Sequence, residues 1–248
     1  MRTKDRVTLI TGAGQGLGKA IAITFAREGA KLAINDVRFN EKQALETITE
    51  LRELGAEAEL FLADVSNEAE VEEMTRNVLE RFGRIDILVN NAGINRDGLI
   101  HKAEKSKWDA VIAVNLTGPF LCTKAVLPSM GQQNYGRIVN ISSVTARTGV
   151  AGTGYYATAK TGLIGLTKIT AAENAKKGIT VNAVAPGYIK TSMMMTYPED
   201  VLNGIIAKIP VGRFAEPQEI AEAVLFLAED TSGYVTGSVL DINGGFHF

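Results

Sequence analysis

Ser143, Tyr156 and Lys160 are the residues of this chain whose types and spacing could do chemistry together. Tyr156-Ala157-Thr158-Ala159-Lys160 lies in a segment of helical composition, so Tyr156 and Lys160, four apart, share one helix face. An unperturbed tyrosine, with a pKa of about 10, is a poor acid or base near neutrality. An adjacent ammonium stabilises the phenolate and brings the phenol toward the working range. Ser143 can hydrogen-bond a substrate oxygen and hold it against the tyrosine hydroxyl. A Tyr-x-x-x-Lys pair alone also arises on any solvated helix face. Tyr155 is an alternative proton donor, but its partner four residues on is Ala159, which carries no charge. The two histidines, His101 and His247, have no paired-ligand spacing, so no metal site is expected and an organic group must polarise the substrate.

The amino-terminal end carries a second constellation, Thr11-Gly12-Ala13-Gly14-Gln15-Gly16-Leu17-Gly18. It follows a strand-like run and opens a helical one. In that setting glycines permit a tight turn and let backbone N–H groups approach a pyrophosphate at a helix N-terminus. Asp36 ends the second strand, from where a carboxylate can accept hydrogen bonds from adenosine ribose hydroxyls and repel a 2′-phosphate. With neutral Gln15 in the turn, these residues point to NAD(H) as cofactor, with Arg38 as a reservation because it could swing in to meet a phosphate. Asp64, followed by Val65, can reach an adenine amino group from the third strand. It could equally cap a helix beginning near Ser66.

These groups need a scaffold, and the hydrophobic pattern supplies one. Strand-like runs at Val7–Ile10, Lys31–Asp36 and residues 59–62, 85–90, 137–141, 180–184 and 237–242 alternate with helical patterns at 17–27, at 41–54 and through Val71, Met74, Val78 and Phe82. Serial alternation of strand and helix predicts one α/β domain over residues 1–248: a Rossmann-type, doubly wound parallel sheet of about seven strands flanked by helices. Residues 190–214 break the rhythm with two prolines, Met193-Met194-Met195 and a short helical pattern at 199–208. A connection that long beyond a strand's carboxyl end reads as a substrate-covering lid, its methionines meeting an acyl chain, or else as a surface excursion. The 248 residues are 46% hydrophobic and 22% charged with a formal charge of -2, a balance that argues against nucleic-acid binding. One cysteine, an amino terminus without a signal-peptide pattern, and no run approaching the roughly 18 apolar residues of a membrane span point to a cytoplasmic protein.

Taken in order, Thr11 to Gly18, Asp64-Val65, Asn90-Asn91-Ala92-Gly93, Asn115, Ser142-Ser143, Tyr156 to Lys160 and Pro186-Gly187 make the chain resemble the short-chain dehydrogenase/reductases over essentially its whole length. Ser143 precedes Tyr156 by the family's usual thirteen residues. The resemblance implies a catalytic tetrad of Asn115, Ser143, Tyr156 and Lys160, with Asn115 keeping a helix kink open for a proton-relay water. It also implies that Lys160 binds the nicotinamide ribose, that Ile189 and Thr191 hold the carboxamide after the Pro186-Gly187 turn, and that Asn91, Ala92 and Gly93 support the adenosine side. A homotetramer with a C-terminal segment at an interface is implied as well.

Within the family, Ala92-Gly93-Ile94-Asn95-Arg96-Asp97, the stretch from Val184 to Ile189, Ile209-Pro210-Val211-Gly212-Arg213 and Ile242-Asn243-Gly244-Gly245 resemble the 3-oxoacyl thioester reductases. Two departures stand out. Asp36 and Gln15 favour NADH where many such relatives use NADPH. Gln132-Gln133-Asn134-Tyr135 stand before Gly136-Arg137 where carrier-protein reductases usually show basic residues, which favours a CoA thioester over an acyl-carrier protein, although Lys176-Lys177 could contribute to docking. The expected activity is therefore NADH-dependent interconversion of 3-oxoacyl and 3-hydroxyacyl thioesters. The alternatives are an NAD-dependent dehydrogenase of another secondary alcohol (cyclic alcohol, sugar or steroid) and a non-catalytic nucleotide-binding protein that kept the fold.

Overall fold

The computed structural model describes every residue except Asp97, Ser192 and Met193. Its strands are β1 (Val7–Ile10), β2 (Lys31–Asp36), β3 (Ala58–Leu62), β4 (Ile87–Asn90), β5 (Gly136–Ile141), β6 (Ile179–Pro186) and β7 (Val239–Ile242). All pair in parallel, in the order β3-β2-β1-β4-β5-β6-β7. The helices are α1 (Gly16–Arg27), α2 (Glu41–Glu53), α3 (Glu68–Phe82), α4 (Lys105–Ile112), α5 (Gly118–Gln133), α6 (Gly154–Asn174), α7 (Glu199–Ile206) and α8 (Pro217–Ala228). This is the single α/β domain with a doubly wound seven-stranded sheet that the alternation of patterns predicts.

Strands β1, β4, β5 and β6 are buried at every position, because helices cover both faces; their continuous apolar runs reflect that. One core lies under α1, α2 and α8, built on Ile21, Phe25, Ile48, Leu51, Val224 and Leu225. The other lies under α3 and α5, built on Val71, Met74, Val78, Leu121, Val126 and Met130. Helix α3 starts at Glu68, ahead of its first apolar position, because the Asn67 side chain accepts the N–H groups of Ala69 and Glu70.

Helices α4 and α5 are joined without a break by a π-helical segment, Ala113–Thr117. The continuous run Lys105–Gln133 is long and apolar enough to cross a membrane, with a mean hydropathy of 1.6 in its best window. That differs from the expectation that no such run exists. Val111, Leu121, Cys122, Val126 and Met130 are buried, and α5 packs on α3, β4 and β5, so the run serves as a core helix.

Successive crossovers carry the chain from β1 outward to β3, then back past β1 to β4 and outward again. The crevice at the carboxyl ends of β1 and β4 is therefore left open, where sheets of this kind bind ligands. Close backbone approach shapes it. A Cβ on Gly18 would lie 2.6 Å from Asn91 Nδ2 and 2.8 Å from Ala13 Cα, and against the Gly12 carbonyl oxygen. Gly18→Ala should therefore lower the thermal midpoint by on the order of 5 °C, the equivalent of about 2 kcal/mol in a domain this size; a calorimetric scan showing no change would mean that the turn yields freely.

Candidate active site

The turn after β1 and the turn after β4 are tied together. Thr11 Oγ1 accepts the N–H groups of Asn91 and Ala92, each at 3.0 Å. The Asn91 side-chain amide donates to the carbonyls of Thr11 and Gly12, each at 2.9 Å. Gly12 has φ +62° and lies so near Ala92 that a Cβ would come within 2.8 Å of its Cα. Gln15 precedes α1 in extended backbone with no side-chain cap, and the first turn holds no acidic residue. The leading N–H groups of α1 thus face the crevice, as a pyrophosphate requires.

A cleft of about 740 Å³ runs along this edge. Gly12, Gln15, Gly16, Leu17 and Gly18 form its floor, and Asp36, Asp64 and Val65 stand at one end. Asn91, Ala92 and Gly93 line the middle, and Tyr156 and Thr191 close the other end. Thirteen of the residues expected to hold cofactor share this one cleft. A built cradle whose glycine positions a Cβ would fill fits a dinucleotide.

Four expected cofactor residues do not line it. Lys160 lies buried behind the wall, beside Tyr156. Pro186 ends β6 in the sheet; Gly187 backs onto Asn243, whose Cα a Cβ would meet at 2.8 Å; and Ile189 packs against the core and bridges to Ala215. Asn40 and Arg96 do line the cleft and escaped the sequence reading. Arg96 stands in a stretch singled out only for its resemblance, and Asn40 follows Asp36 by one helical turn, a spacing without meaning until the loop is folded.

The Asp36 carboxylate is 5% exposed and fully engaged on one flank. Its Oδ2 accepts the Gly14 N–H, and its Oδ1 accepts the Val37 N–H and the Asn40 side-chain amide, each at 2.9 Å. Arg38 is exposed and lies outside this cleft, on a neighbouring groove with Phe39, Glu59 and Arg81. Asp64 accepts the N–H and hydroxyl of Ser66 in a local turn, while Asn67 caps α3. The capping alternative for Asp64 thus belongs to its neighbour, and Asp64 stays on the cleft wall.

At the other end, α6 presents Tyr156 half-buried to the cleft and Tyr155 to the protein interior. Tyr155 is 2% exposed, packed with Val111 and Ala159 and edge-on to Trp108. Lys160 is buried beneath Tyr156, its Nζ 5.5 Å from the Tyr156 ring centroid and donating to the Ile141 carbonyl at 2.7 Å. Asn115, wholly buried in the π-helical segment, accepts the Ile94 N–H and donates to the Ile94 carbonyl, both at 2.8 Å. Its Oδ1 and Lys160 Nζ lie 3.4 Å and 3.7 Å from the Cβ position of Gly93, so both stand directly behind the cleft wall. Ser143 Oγ accepts from the N–H and the hydroxyl of Thr145, at 3.2 and 3.0 Å. Both its lone pairs are then occupied, and its own proton is left to donate.

Of the described residues in 190–214, only Thr191 lines the cleft. Met193 lies outside the described residues. Met194 packs with Leu202, Ile209 and Phe214 in a small cluster that Tyr188 and Phe246 complete, and Met195 is half-exposed.

Burial drives the Lys160 ammonium down to a pKa of about 8. The unfolded chain holds that proton up to the ordinary lysine value near 10.4, so stability should rise with pH between about 8 and 10, and the burial penalty is full below 8. Lys160→Met removes the titration. Its thermal midpoint relative to the parent should be higher at pH 7.5 than at pH 10, the difference amounting to about 3 kcal/mol at most; a gap independent of pH would show that Lys160 is not titrating there.

Comparison with known proteins agrees with this geometry. A family model described as "Enoyl-(Acyl carrier protein) reductase" matches residues 12–247. The 3-oxoacyl-[acyl-carrier-protein] reductase FabG of Thermotoga maritima is 44% identical over 245 residues, 99% of each chain. The (2S)-[(R)-hydroxy(phenyl)methyl]succinyl-CoA dehydrogenase subunit BbsD of Thauera aromatica is 45% identical over 245 residues, 99% of this chain and 98% of that one. A crystal structure described as a candidate gluconate dehydrogenase from Agrobacterium tumefaciens superposes with a TM-score of 0.94 at 35% identity, covering 98% of this chain and 96% of that one. With full-length kinship of this order behind the glycine cradle and the buried lysine, the chain belongs to the short-chain dehydrogenase/reductases, nicotinamide-dependent oxidoreductases acting on CH–OH and C=O groups.

Proposed function

We propose that this protein catalyses the reversible, NADH-dependent reduction of a 3-oxoacyl thioester to the 3-hydroxyacyl thioester. The observation that carries the reading is the half-buried Tyr156 on the cleft wall with the buried Lys160 ammonium 5.5 Å from its ring. When bound, the nicotinamide supplies or accepts the hydride. Negative charge then grows on the carbonyl oxygen, and the protein must meet it with donors. Ser143, its lone pairs already taken by Thr145, offers one hydrogen bond. Tyr156 offers a second and gives up its proton as general acid, or takes one back in oxidation. Lys160 stabilises the phenolate, and its remaining N–H groups are available to the nicotinamide ribose. Asn115 fixes Ile94, and the π-helical turn around it would hold the proton-relay water. Thr191, on the cleft wall, would meet the carboxamide, with the Pro186-Gly187 turn and Ile189 behind it setting its place, and residues 190–214 would act as a lid packed on Tyr188 and Phe246.

Selectivity for NADH follows from the buried Asp36 carboxylate, which a 2′-phosphate would face at close range. Thioester chemistry is supported by relatives named for 3-oxoacyl carrier-protein reduction and for oxidation of a hydroxyacyl-CoA. A CoA thioester is favoured over a carrier protein. Gln133 at the end of α5 turns inward to the Ile85 carbonyl and offers no basic docking face. The name of the gluconate dehydrogenase neighbour keeps oxidation of a polyol or other secondary alcohol as the second reading. A homotetramer in the cytoplasm is consistent with the fully exposed Tyr234 and Phe248 and the lone buried Cys122.

Purified protein should turn over NADH with kcat/KM at least roughly tenfold above NADPH, about 1.4 kcal/mol, and acetoacetyl-CoA should be a better substrate than gluconate-type or cyclic substrates. Better use of NADPH would overturn the cofactor reading, and a cyclic or polyol substrate ahead by a wide margin would install the second. Tyr156→Phe should lower kcat by roughly 10²-fold or more while leaving NADH binding and stability near those of the parent. Tyr155→Phe, with its ring still packed on Trp108, should stay within about a few fold. The opposite ranking of the two variants would move the proton donor to Tyr155.

A further inference from the structure

We infer that Gly14 and Asn40 set the nucleotide selectivity of the adenosine end, Gly14 by leaving room for the Asp36 carboxylate and Asn40 by orienting it and supplying a second acceptor for the ribose diol. The inference rests on the NADH reading above and names residues that reading does not use. A carboxylate offers about four lone-pair positions. Three on Asp36 are taken, by Gly14 N–H on Oδ2 and by Val37 N–H and the Asn40 amide on Oδ1. One position remains, whereas a ribose diol presents two hydroxyls. The Asn40 amide nitrogen must face the carboxylate, since two oxygens would repel, so its carbonyl oxygen points elsewhere. Asn40 lines the same cleft as Asp36, and its oxygen makes no hydrogen bond among the described residues. Asp36 Oδ2 and Asn40 Oδ1 together therefore match the diol.

Gly14 is not a glycine for the sake of its backbone, because its φ lies outside the positive region where Gly12 and Gly16 sit. Space is what demands it. A Cβ there would lie 2.7 Å from Asp36 Oδ2 and 3.2 Å from Ala44 Cα. The helix side cannot give, because Ala44 is fully buried and Thr47 Oγ1 of the same helix donates to the Gly14 carbonyl at 2.8 Å. Any side chain at position 14 must then push the carboxylate off the Gly14 N–H and out of register with the ribose.

The test is calorimetric binding of NAD⁺ and NADP⁺ to the intact protein, with thermal midpoints, for Gly14→Ala, Asn40→Ala, Asp36→Ala and the Gly14→Ala/Asp36→Ala pair. Gly14→Ala should weaken NAD⁺ by roughly tenfold and leave NADP⁺ no weaker. In the Asp36→Ala background the same change should move NAD⁺ binding by less than about twofold, because the group it displaces is gone. Asn40→Ala, at a half-buried position, should weaken NAD⁺ several-fold with no change in midpoint, and it tests the inference even if Gly14→Ala does not fold. Equal weakening of both dinucleotides in both backgrounds would make Gly14 a turn-packing residue only. Unaltered NAD⁺ affinity in Gly14→Ala and Asn40→Ala, with the parent preferring NAD⁺, would overturn the inference alone. A parent that binds NADP⁺ more tightly would overturn the cofactor reading and the inference with it.

Discussion

Strands β1 and β4 end side by side at the point where the sheet's two windings part, and one reciprocal set of hydrogen bonds closes that edge. Thr11 Oγ1 takes the N–H groups of Asn91 and Ala92, while the Asn91 amide returns two bonds to the carbonyls of Thr11 and Gly12. Buried backbone polar groups at a strand end need partners, and these satisfy one another. The consequence is a rigid sill over which the glycine turn passes at van der Waals distance. No side chain larger than hydrogen fits at Gly12 or Gly18, and the N-terminus of α1 is held facing the crevice. From this sill the cleft extends one way to Asp36 and the other way to Gly93, behind which Asn115 and Lys160 wait.

The far end obeys a different constraint. Lys160 is buried where an ammonium is costly, and burial lowers its pKa to about 8. The Ile141 carbonyl and the face of the Tyr156 ring are the partners that keep the charged form in reach. A buried cation beside a phenol stabilises phenolate more strongly than one in water would, because little solvent screens the pair. In the proposed mechanism the same burial that costs stability would activate the phenol, a balance typical of functional sites.

Much of this was legible in the sequence, for physical reasons. Strands β1 and β2 occur with the bounds their apolar runs suggest, because parallel strands buried on both faces leave an uninterrupted hydrophobic signature. Strand β6 runs on to Pro186, two residues past its apolar pattern, since a proline can end a ladder. The glycine turn, Asp36 and the Tyr156–Lys160 pair were visible because each is a local pattern with a steric or electrostatic cause. What stayed hidden depends on the folded loops. No periodicity marks the π-helical turn at Asn115, Asn40 meets Asp36 only after its loop closes, and the engagement of Gly14 with Asp36 is a contact across 22 positions. That Met194 packs, partly buried, on Leu202, Ile209 and Phe214 was likewise invisible, because those partners meet it only once the long connection has folded.

In the proposed reaction hydride arrives at a carbonyl carbon whose oxygen Tyr156 protonates; the rival, suggested by the matched family model's description as an enoyl reductase, is hydride addition to a carbon–carbon double bond. Mass spectrometry of products formed with NADH carrying deuterium at both positions of carbon 4 of the nicotinamide separates the two. Offered acetoacetyl-CoA and crotonyl-CoA together, the protein should yield 3-hydroxybutyryl-CoA carrying one deuterium at carbon 3 and leave crotonyl-CoA unreduced. Labelled butyryl-CoA as the main product, or 3-hydroxybutyryl-CoA without deuterium, would contradict the account.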